Sequence, residues 1–475
     1  MRRSPWSTLA VLALAQFMVV LDVTIVNVAL PDMQTDLGFS TDRLQWVISA
    51  YTLVFGGFLL LGGRAGDLLG RRRLFVAGLV VFGLASLAGG FAQSPNMLIA
   101  LRAVQGLGGA MLSPAALSIL TVTFAPGRDR NIALGIWGGL AGLGGTLGVV
   151  AGGFLVDDAS WRWVFFVNVP VAAALVAITP LIVRESRVGN ASGGRTFDLP
   201  GALLATTGTL ALTYGVIRAE PLGWSDPEVF GSLIAAVVLL AGFVVAESRS
   251  SAPLVPLRMF RSRSLSLSSV QLGLNGAAFL SMFFLAAIFL QQVRGRSAVE
   301  TGVQFLPMGV AAIVGATLAS ALVTRIGTRP VHLAGAVMSV AGLLLLTTAG
   351  ADGSYAAELL PGFTLFGFGI MWVGVPGQIS AVSEVDHRDA GAASGLVSAG
   401  YQIGGVLGLA VVNTLSTSLA NSRLAEGADP QTALVDAFHR GILVAAAFAA
   451  VNAGLALVQK QRVPDAEEIA EAVPV

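Results

Sequence analysis

Long apolar runs alternate with short polar segments along this chain, and each run is close to the twenty or so residues an α-helix needs to cross a bilayer. Fourteen windows of that kind are present: 7–31, 44–64, 74–93, 97–121, 132–156, 162–183, 198–218, 228–247, 267–291, 301–324, 331–349, 357–381, 391–415 and 440–459. They predict an all-α integral membrane protein. The polar segments between them are short, and 416–438 is the longest, read as a partly ordered outer connector. No segment is large enough to form a soluble domain.

The chain repeats itself. Gly135, Gly144, Gly145 and Gly148 recur 260 residues later as Gly395, Gly404, Gly405 and Gly408. A weaker echo sets Asp67-Leu68-Leu69-Gly70-Arg71-Arg72 against Thr324-Arg325-Ile326-Gly327-Thr328-Arg329. Two related apolar halves point to a transporter whose halves rock about a central site. Six helices occupy roughly 190 residues here, so the longer offset leaves room for about two more helices. The expected plan is a six-helix bundle over 1–197, two inserted helices over 198–247, a connector over 248–266, a second six-helix bundle over 267–460 and a tail over 461–475. With the first residues placed in the cytoplasm, the inside segments collect twenty Arg and Lys and the outside segments seven, which fits both termini lying in the cytoplasm.

Composition narrows the chemistry. Of 475 residues 55% are hydrophobic and only 12% charged, which no soluble domain of this size shows. Cysteine is absent, so disulfide and thiol chemistry are excluded. The single lysine, Lys460, lies near the C-terminus, so no phosphate-binding loop of the Walker type exists to drive transport with ATP. His332, His387 and His439 are scattered and make no metal-ligand spacing, so no metal and no cofactor are expected. The first apolar run outlasts a signal peptide and carries Asp22, and it reads as a retained helix.

Asp22 is the most unusual residue. A carboxylate inside a bilayer costs about 2.5–3.5 kcal/mol on insertion scales and is a functional candidate by default. A buried carboxyl group is drawn toward its neutral form by desolvation and toward its charged form by a nearby cation, and a group so balanced can take and release a proton. Arg102, near the outer end of the fourth window, can reach inward to that level, with Gln105 and Gly106 on its face of the helix. The other reading is an arginine that snorkels to the outer headgroups. Gly144, Gly148 and Gly152 form a smooth stripe on the fifth window, where another backbone can approach closely. The loop Gly63-Arg64-Ala65-Gly66-Asp67-Leu68-Leu69-Gly70-Arg71-Arg72-Arg73 is either a turn with inside arginines or a charge latch, with Asp67 gripping an arginine or a helix N-terminus in one conformation. Tyr51, Gln271, Asn275, Phe279, Phe283, Trp372, Gln378, Tyr401, Gln402 and Asn413 are polar or aromatic residues within spans; each lines a cavity or simply packs.

Taken together, these residues resemble the major facilitator superfamily, and within it the fourteen-helix drug:proton antiporters. Leu21-Asp22-Val23-Thr24-Ile25-Val26-Asn27 through Pro31 resembles that subfamily's first-helix motif, Gly63 through Arg73 the superfamily loop motif, Leu101-Arg102 with Gln105-Gly106 the fourth-helix motif and Gly135 through Gly153 the antiporter motif. Trp161-Arg162-Trp163 with Asn168-Val169-Pro170, and Ala252-Pro253-Leu254 with Phe260-Arg261, are also typical. There are two departures: Val149 stands where the antiporter motif has proline, and Thr324 stands where the first half has Asp67, so any charge latch is one-sided.

The resemblance implies a major facilitator fold in a six-two-six arrangement and proton-coupled export of small amphipathic molecules from a bacterium, through its inner membrane. The expected partners are the lipid bilayer, protons and a drug-like small molecule. Nucleic acid is not expected, nor is enzymatic activity, and a monomer is. Asp22 and Arg102 would couple the proton. Tyr51, Gln105, Asn275, Phe279, Trp372 and Gln402 would meet substrate. Gly63, Asp67, Gly70, Arg71, Arg72, Gly144, Gly148 and Gly152 would serve the conformational change. With one deep carboxylate, neutral, zwitterionic or monocationic compounds are expected over dications. A non-drug permease of the same fold, for a metabolite or siderophore, is the alternative.

Overall fold

The computed structural model describes residues 4–459 other than 45, 126, 187–197, 251, 252, 384 and 386–388. Among them the chain is helical, with no strand. The long helices are α1 (Pro5–Leu37), α2 (Trp46–Leu69), α3 (Arg71–Gly90), α4 (Pro95–Thr123), α5 (Arg128–Asp158), α6 (Trp163–Ile182, with Val167 at a break between two segments), α7 (Leu199–Leu222), α8 (Pro227–Arg249), α9 (Arg263–Ile288), α10 (Ala298–Ile326), α11 (Thr328–Leu346), α12 (Leu360–Ser383), α13 (Ala390–Ala425) and α14 (Pro430–Leu457). Thirteen candidate spans among the described residues are long and apolar enough to cross a membrane. The expected boundary at 197 and the acidic tail, Asp465 to Glu471, lie outside the described residues.

Local sequence sets many of the helix starts. Ser94 before Pro95 accepts a hydrogen bond from the Met97 amide, Asp226 before Pro227 from that of Glu228, and Asp198 from that of Gly201. A capped end followed by proline is pre-organised for a first turn. Ser297 and Glu300 close a capping box at the start of α10. The same chemistry corrects the expected connector over 416–438. α13 runs on to Ala425, and Asp429 caps α14 by accepting from the Gln431 and Thr432 amides, so only a short turn separates the two helices. Arg423 ties that turn to Asp436 at 2.9 Å. The Thr432 hydroxyl and amide, which donate to Asp429, hold its carboxyl below the usual carboxylate range.

Two compact units are present, and each is described by itself. The first holds α1–α4, α5 from Leu147, α6–α8 and α13 up to Ala399; the second holds α5 up to Thr146, α9–α12, α13 from Gly400 and α14. In the first unit α2 and α4 cross so closely that a Cβ added at Gly106 would fall 2.5 Å from the Tyr51 carbonyl oxygen. In the second, a Cβ at Gly367 of α12 would fall 2.5 Å from the Met308 carbonyl oxygen of α10. Met308 stands 257 residues after Tyr51, and Gly367 stands 261 after Gly106. The recurrence extends to the glycines that first revealed the repeat. Gly395 lies against Leu59 and Gly63, and Gly135, 260 residues earlier, lies against Ala316 and Ser320, themselves 257 after Leu59 and Gly63. The repeat is therefore a repeat of backbone contacts.

These crossings leave no room for side chains. Gly106→Val and Gly367→Val are each expected to destabilise the protein by about 1–3 kcal/mol through overpacking, seen as a lower melting temperature in detergent. Gly145→Ala, where an added Cβ meets nothing within 4 Å, is expected to leave melting unchanged.

Candidate functional site

Five helices of the first unit converge on Asp22. α1 places its carboxylate at no measurable exposure, far from either helix end. α4 brings Arg102 and Gln105 on one face, as their three-residue spacing requires. α2 contributes Val47 and Tyr51, α3 contributes Ser86, and Asn168 stands at the second segment of α6. All of these residues are buried, and the part Val47 plays here is its carbonyl.

The hydrogen bonds are specific. Asp22 Oδ2 accepts from Arg102 Nη1 at 2.6 Å. Asp22 Oδ1 accepts from Gln105 Nε2 at 2.6 Å and from Asn168 Nδ2 at 2.8 Å. Arg102 also donates to Gln105 Oε1 at 2.7 Å and, through Nε, to the Val47 carbonyl at 3.0 Å. Its guanidinium carbon lies 4.4 Å from the Tyr51 ring centre, a cation–π contact. Gln105 Nε2 donates as well to Ser86 Oγ at 2.8 Å, and Ser86 donates to the Phe82 carbonyl at 2.8 Å. Snorkelling is thus overturned for Arg102: it is 1% exposed and turned inward onto the carboxylate. The reason is the buried anion, whose desolvation only a paired and hydrogen-bonded cation offsets. Chemically, the arrangement can hold a carboxylate that a proton would neutralise in place.

The loop motif builds a second cluster. Asp67 and Arg71 are 1% and 3% exposed. Arg71 donates to Asp67 Oδ1 through Nε at 3.0 Å and Nη2 at 2.7 Å. Asp67 Oδ2 accepts from the Ala392 amide at 3.2 Å, in the first turn of α13. Both contacts of a charge latch, an arginine and a helix N-terminus, are present together. Gly70 holds φ 107°, open to glycine alone, and an added Cβ would lie 2.8 Å from the Glu185 carboxylate. Glu185 in turn accepts from the Arg72 amide at 3.1 Å. Gly63 takes the close approach of Gly395. In the second unit Thr324, the counterpart of Asp67, accepts from Asn131 of α5 at 3.1 Å. Asn131 stands 260 residues before Gly391, next to Ala392. The same junction is made there by a neutral hydrogen bond.

The glycine stripe of α5 faces α1 beside the carboxylate. A Cβ at Gly148 would lie 2.9 Å from the Leu21 carbonyl oxygen, and one at Gly152 would lie 3.2 Å from that of Ile25. Gly144 is buried on the same helix, and the side chain of Val149 lies outside what is described.

Of the residues expected to meet substrate, Tyr51 and Gln105 belong to the Asp22 cluster. The rest belong to the second unit. Asn275 donates to the Ile370 carbonyl at 3.2 Å and lies near Ser339 and Asn452 in the interior of that unit. Phe279 stacks on Phe283 at 6.1 Å. Trp372 and Gln402 are half-buried. Sequence reasoning missed Ser86 and Asn168 as parts of the site. A serine that bonds back to the preceding turn carries no signal. Asn168 stood in the Asn168-Val169-Pro170 run that carries part of the resemblance, but with no partner visible.

Among its described residues the second unit lacks this site. The glycine contacts set Ala277 where Thr24 stands, which puts Asn275 at the level of Asp22. The offsets of the shared crossings put Phe363, Phe366, Met308 and Leu343 where Arg102, Gln105, Tyr51 and Ser86 stand, and all four lie in one apolar core.

Family comparison agrees with this geometry. The Major Facilitator Superfamily model matches residues 12–409, and the chain belongs to that superfamily, a family of multi-pass membrane transporters. It is 40% identical over 447 residues to a puromycin resistance protein of Streptomyces alboniger, covering 94% of this chain and 88% of that one. It is 39% identical over 415 residues to a cephamycin export protein of Amycolatopsis lactamdurans, covering 87% and 85%. A tetracenomycin C resistance and export protein of Streptomyces glaucescens is 38% identical over 418 residues, covering 88% and 77%. Among solved structures, the human organic anion transporter MFSD10 superposes with a TM-score of 0.67 at 15% identity, covering 95% of this chain and 99% of that one, a likeness of fold.

Breaking a buried ion pair on one side costs about 3–5 kcal/mol, because the other charge is left unpaired. Arg102→Leu is expected to lower the melting temperature in detergent markedly. Asp22→Asn/Arg102→Leu, which removes both charges, is expected to recover more than half of that loss. A double variant no more stable than Arg102→Leu would show that the pair is not what sets the stability of this cluster.

Proposed function

We propose that this protein is a proton-coupled exporter of small lipophilic antibiotics or drugs in the inner membrane of a bacterium. It works by alternating access, as a monomer with fourteen spans in a six-two-six arrangement and both termini in the cytoplasm. The observation that carries the reading is the fully buried Asp22 carboxylate, paired with Arg102 and surrounded by hydrogen-bond donors. The names of the relatives, resistance and export proteins for several unrelated antibiotics, support drug efflux. Proton coupling rests on the chemistry of Asp22 and on the family. A membrane potential adds about 2.3 kcal/mol per charge per 100 mV to inward proton movement. Asp22 takes the proton, and Arg102 holds the anion once the proton leaves.

Substrate is met by Asn275, Phe279, Trp372 and Gln402 together with Tyr51, while Gln105 acts through the carboxylate it binds. Asp67, Arg71, Arg72 and the glycines at 63, 70, 144, 148 and 152 serve the conformational change. Among the described residues Asp22 is the one carboxylate set deep within a candidate span, since Asp67 and Glu247 lie at helix ends. One anion neutralises one cationic charge and then has none left for a proton. Neutral, zwitterionic and monocationic substrates therefore fit better than dications.

In inside-out vesicles holding a pH gradient, adding substrate is expected to release protons with the wild type and not with Asp22→Asn. Binding without release in the wild type would favour a non-drug or uncoupled permease. Export of dications that depends on Asp22 would refute the charge rule. Asp67→Asn keeps the size but loses the charge, and is expected to slow turnover roughly tenfold, the worth of one charge-assisted hydrogen bond. Substrate affinity, read by equilibrium binding, is expected to stay within about twofold.

A further inference from the structure

We propose that Asn168 is the amide switch that makes room for the proton on Asp22: its side chain donates to the carboxylate and, turned over, accepts from the carboxylic acid. The inference rests on the reading of Asp22 as the proton carrier.

Every polar contact of the Asp22 carboxylate in this site is with a donor. Arg102 Nη1 reaches Oδ2, while Gln105 Nε2 and Asn168 Nδ2 reach Oδ1. That suits an anion and opposes an acid, because a carboxyl O–H must find an acceptor and here faces N–H groups. One of the three donors has to give way.

Arginine has no acceptor to offer. Gln105 is fixed in its orientation. Its Oε1 accepts from Arg102 at 2.7 Å, and its Nε2 donates to Ser86 Oγ at 2.8 Å, whose own hydrogen goes to the Phe82 carbonyl. Turning that amide over would set its NH2 against the guanidinium and its oxygen against a hydroxyl with no hydrogen left to give.

Asn168 has no such restraint. It is 1% exposed, its Nδ2 is bonded to Asp22, and its Oδ1 is buried without a hydrogen-bond partner. An orphaned buried carbonyl oxygen is costly and calls for an explanation. Here it is the acceptor that the protonated state requires. When a proton from the aqueous phase bonds to Asp22 Oδ1, the anion becomes a neutral acid. The Asn168 amide rotates about its last side-chain torsion, Nδ2 withdraws and Asn168 Oδ1 accepts the new O–H. Loss of the proton reverses each step. Arg102 stays in place throughout, held by Val47, Gln105 and the Tyr51 ring.

The titratable groups that face Asp22 are Arg102 of α4 and Tyr51 of α2; α3 and α6 present Ser86 and Asn168, which do not titrate. From α5 the backbone of Gly148 packs two residues away, at Thr24. The Tyr51 hydroxyl is also buried without a partner, but Tyr51 meets the cluster through its ring, under Arg102; of the three side chains bonded to Asp22, the Asn168 amide is the adjustable one.

The test is the pH midpoint of the protonated-carboxyl infrared band in purified, reconstituted protein. The band is assigned to Asp22 by its loss in Asp22→Asn. Asn168→Leu removes both hydrogen-bonding roles. The anion still has Gln105 and Arg102, but the acid loses its acceptor, so the midpoint is expected to fall by roughly one pH unit, a tenfold loss of proton affinity. Asn168→Thr, whose hydroxyl both donates and accepts, is expected to restore most of that loss. Asn168→Asp, which accepts only, is expected to move the midpoint the other way. Like-charge repulsion raises the midpoint in Asn168→Asp in any case, so the fall in Asn168→Leu and its recovery in Asn168→Thr are what a purely structural role would not give. A midpoint unchanged or raised in Asn168→Leu, with the band still assigned to Asp22, overturns the switch alone. A band that survives in Asp22→Asn overturns the proton-carrier reading beneath it. Unfolding of Asn168→Leu is read by melting, and the Asn168→Thr and Asn168→Asp pair then decides.

Discussion

One carboxylate in the interior of the first unit, that of Asp22, sets the terms for everything around it. Desolvating Asp22 is affordable only with a cation in contact and donors on its remaining lone pairs. Arg102 supplies the charge, and because it too is buried it needs the Val47 carbonyl, the Gln105 oxygen and the Tyr51 ring in addition. Gln105 then needs Ser86. The requirement passes outward from one oxygen pair to five helices. It also fixes how near those helices must lie, which is why Gly106 follows Gln105 with its Cα pressed to the Tyr51 backbone.

The comparison between the halves sharpens this. The same crossings recur, glycine against carbonyl, at nearly constant offsets, yet Phe363, Phe366, Met308 and Leu343 occupy the places of the polar cluster. One backbone arrangement therefore supports either a dry aromatic core or a satisfied ionic network. An apolar core needs no partners beyond close packing, whereas the ionic version is intact only when every member is present. The latch shows the same asymmetry in milder form: a carboxylate at Asp67 grips the α13 amide, while Thr324 and Asn131 make a neutral contact in its place.

The α1–α5 contact joins these two themes. Gly148 and Gly152 bring the backbone of α5 against Leu21 through Val28, immediately around Asp22. A helix seated on glycine can slide or tilt with little side-chain rearrangement, and a change of charge two residues away alters what that seam must accommodate. The geometry thus puts the buried carboxylate beside a smooth, glycine-lined contact between two helices.

Much of this was legible in the sequence. The spans follow from bilayer thickness, the helix starts from Asp or Ser before proline, and the repeat from spaced glycines. Asp22 and Arg102 declared themselves as charges in apolar runs, because a bilayer gives no other reason to keep them. The sequence also determined that only the first half carries such a pair. Other features were decided by tertiary structure. Whether Arg102 turned inward or out to the headgroups depended on what stood within reach of its long side chain. The helical ends of α13 and α14 replaced a loop because Asp429 and Arg423 found partners. Above all, Ser86 and Asn168 are ordinary residues whose meaning lies in their neighbours 19 and 146 positions away along the chain. Hydrogen-bond satisfaction is a property of atoms brought within 3 Å of one another, and no periodicity along a chain records it.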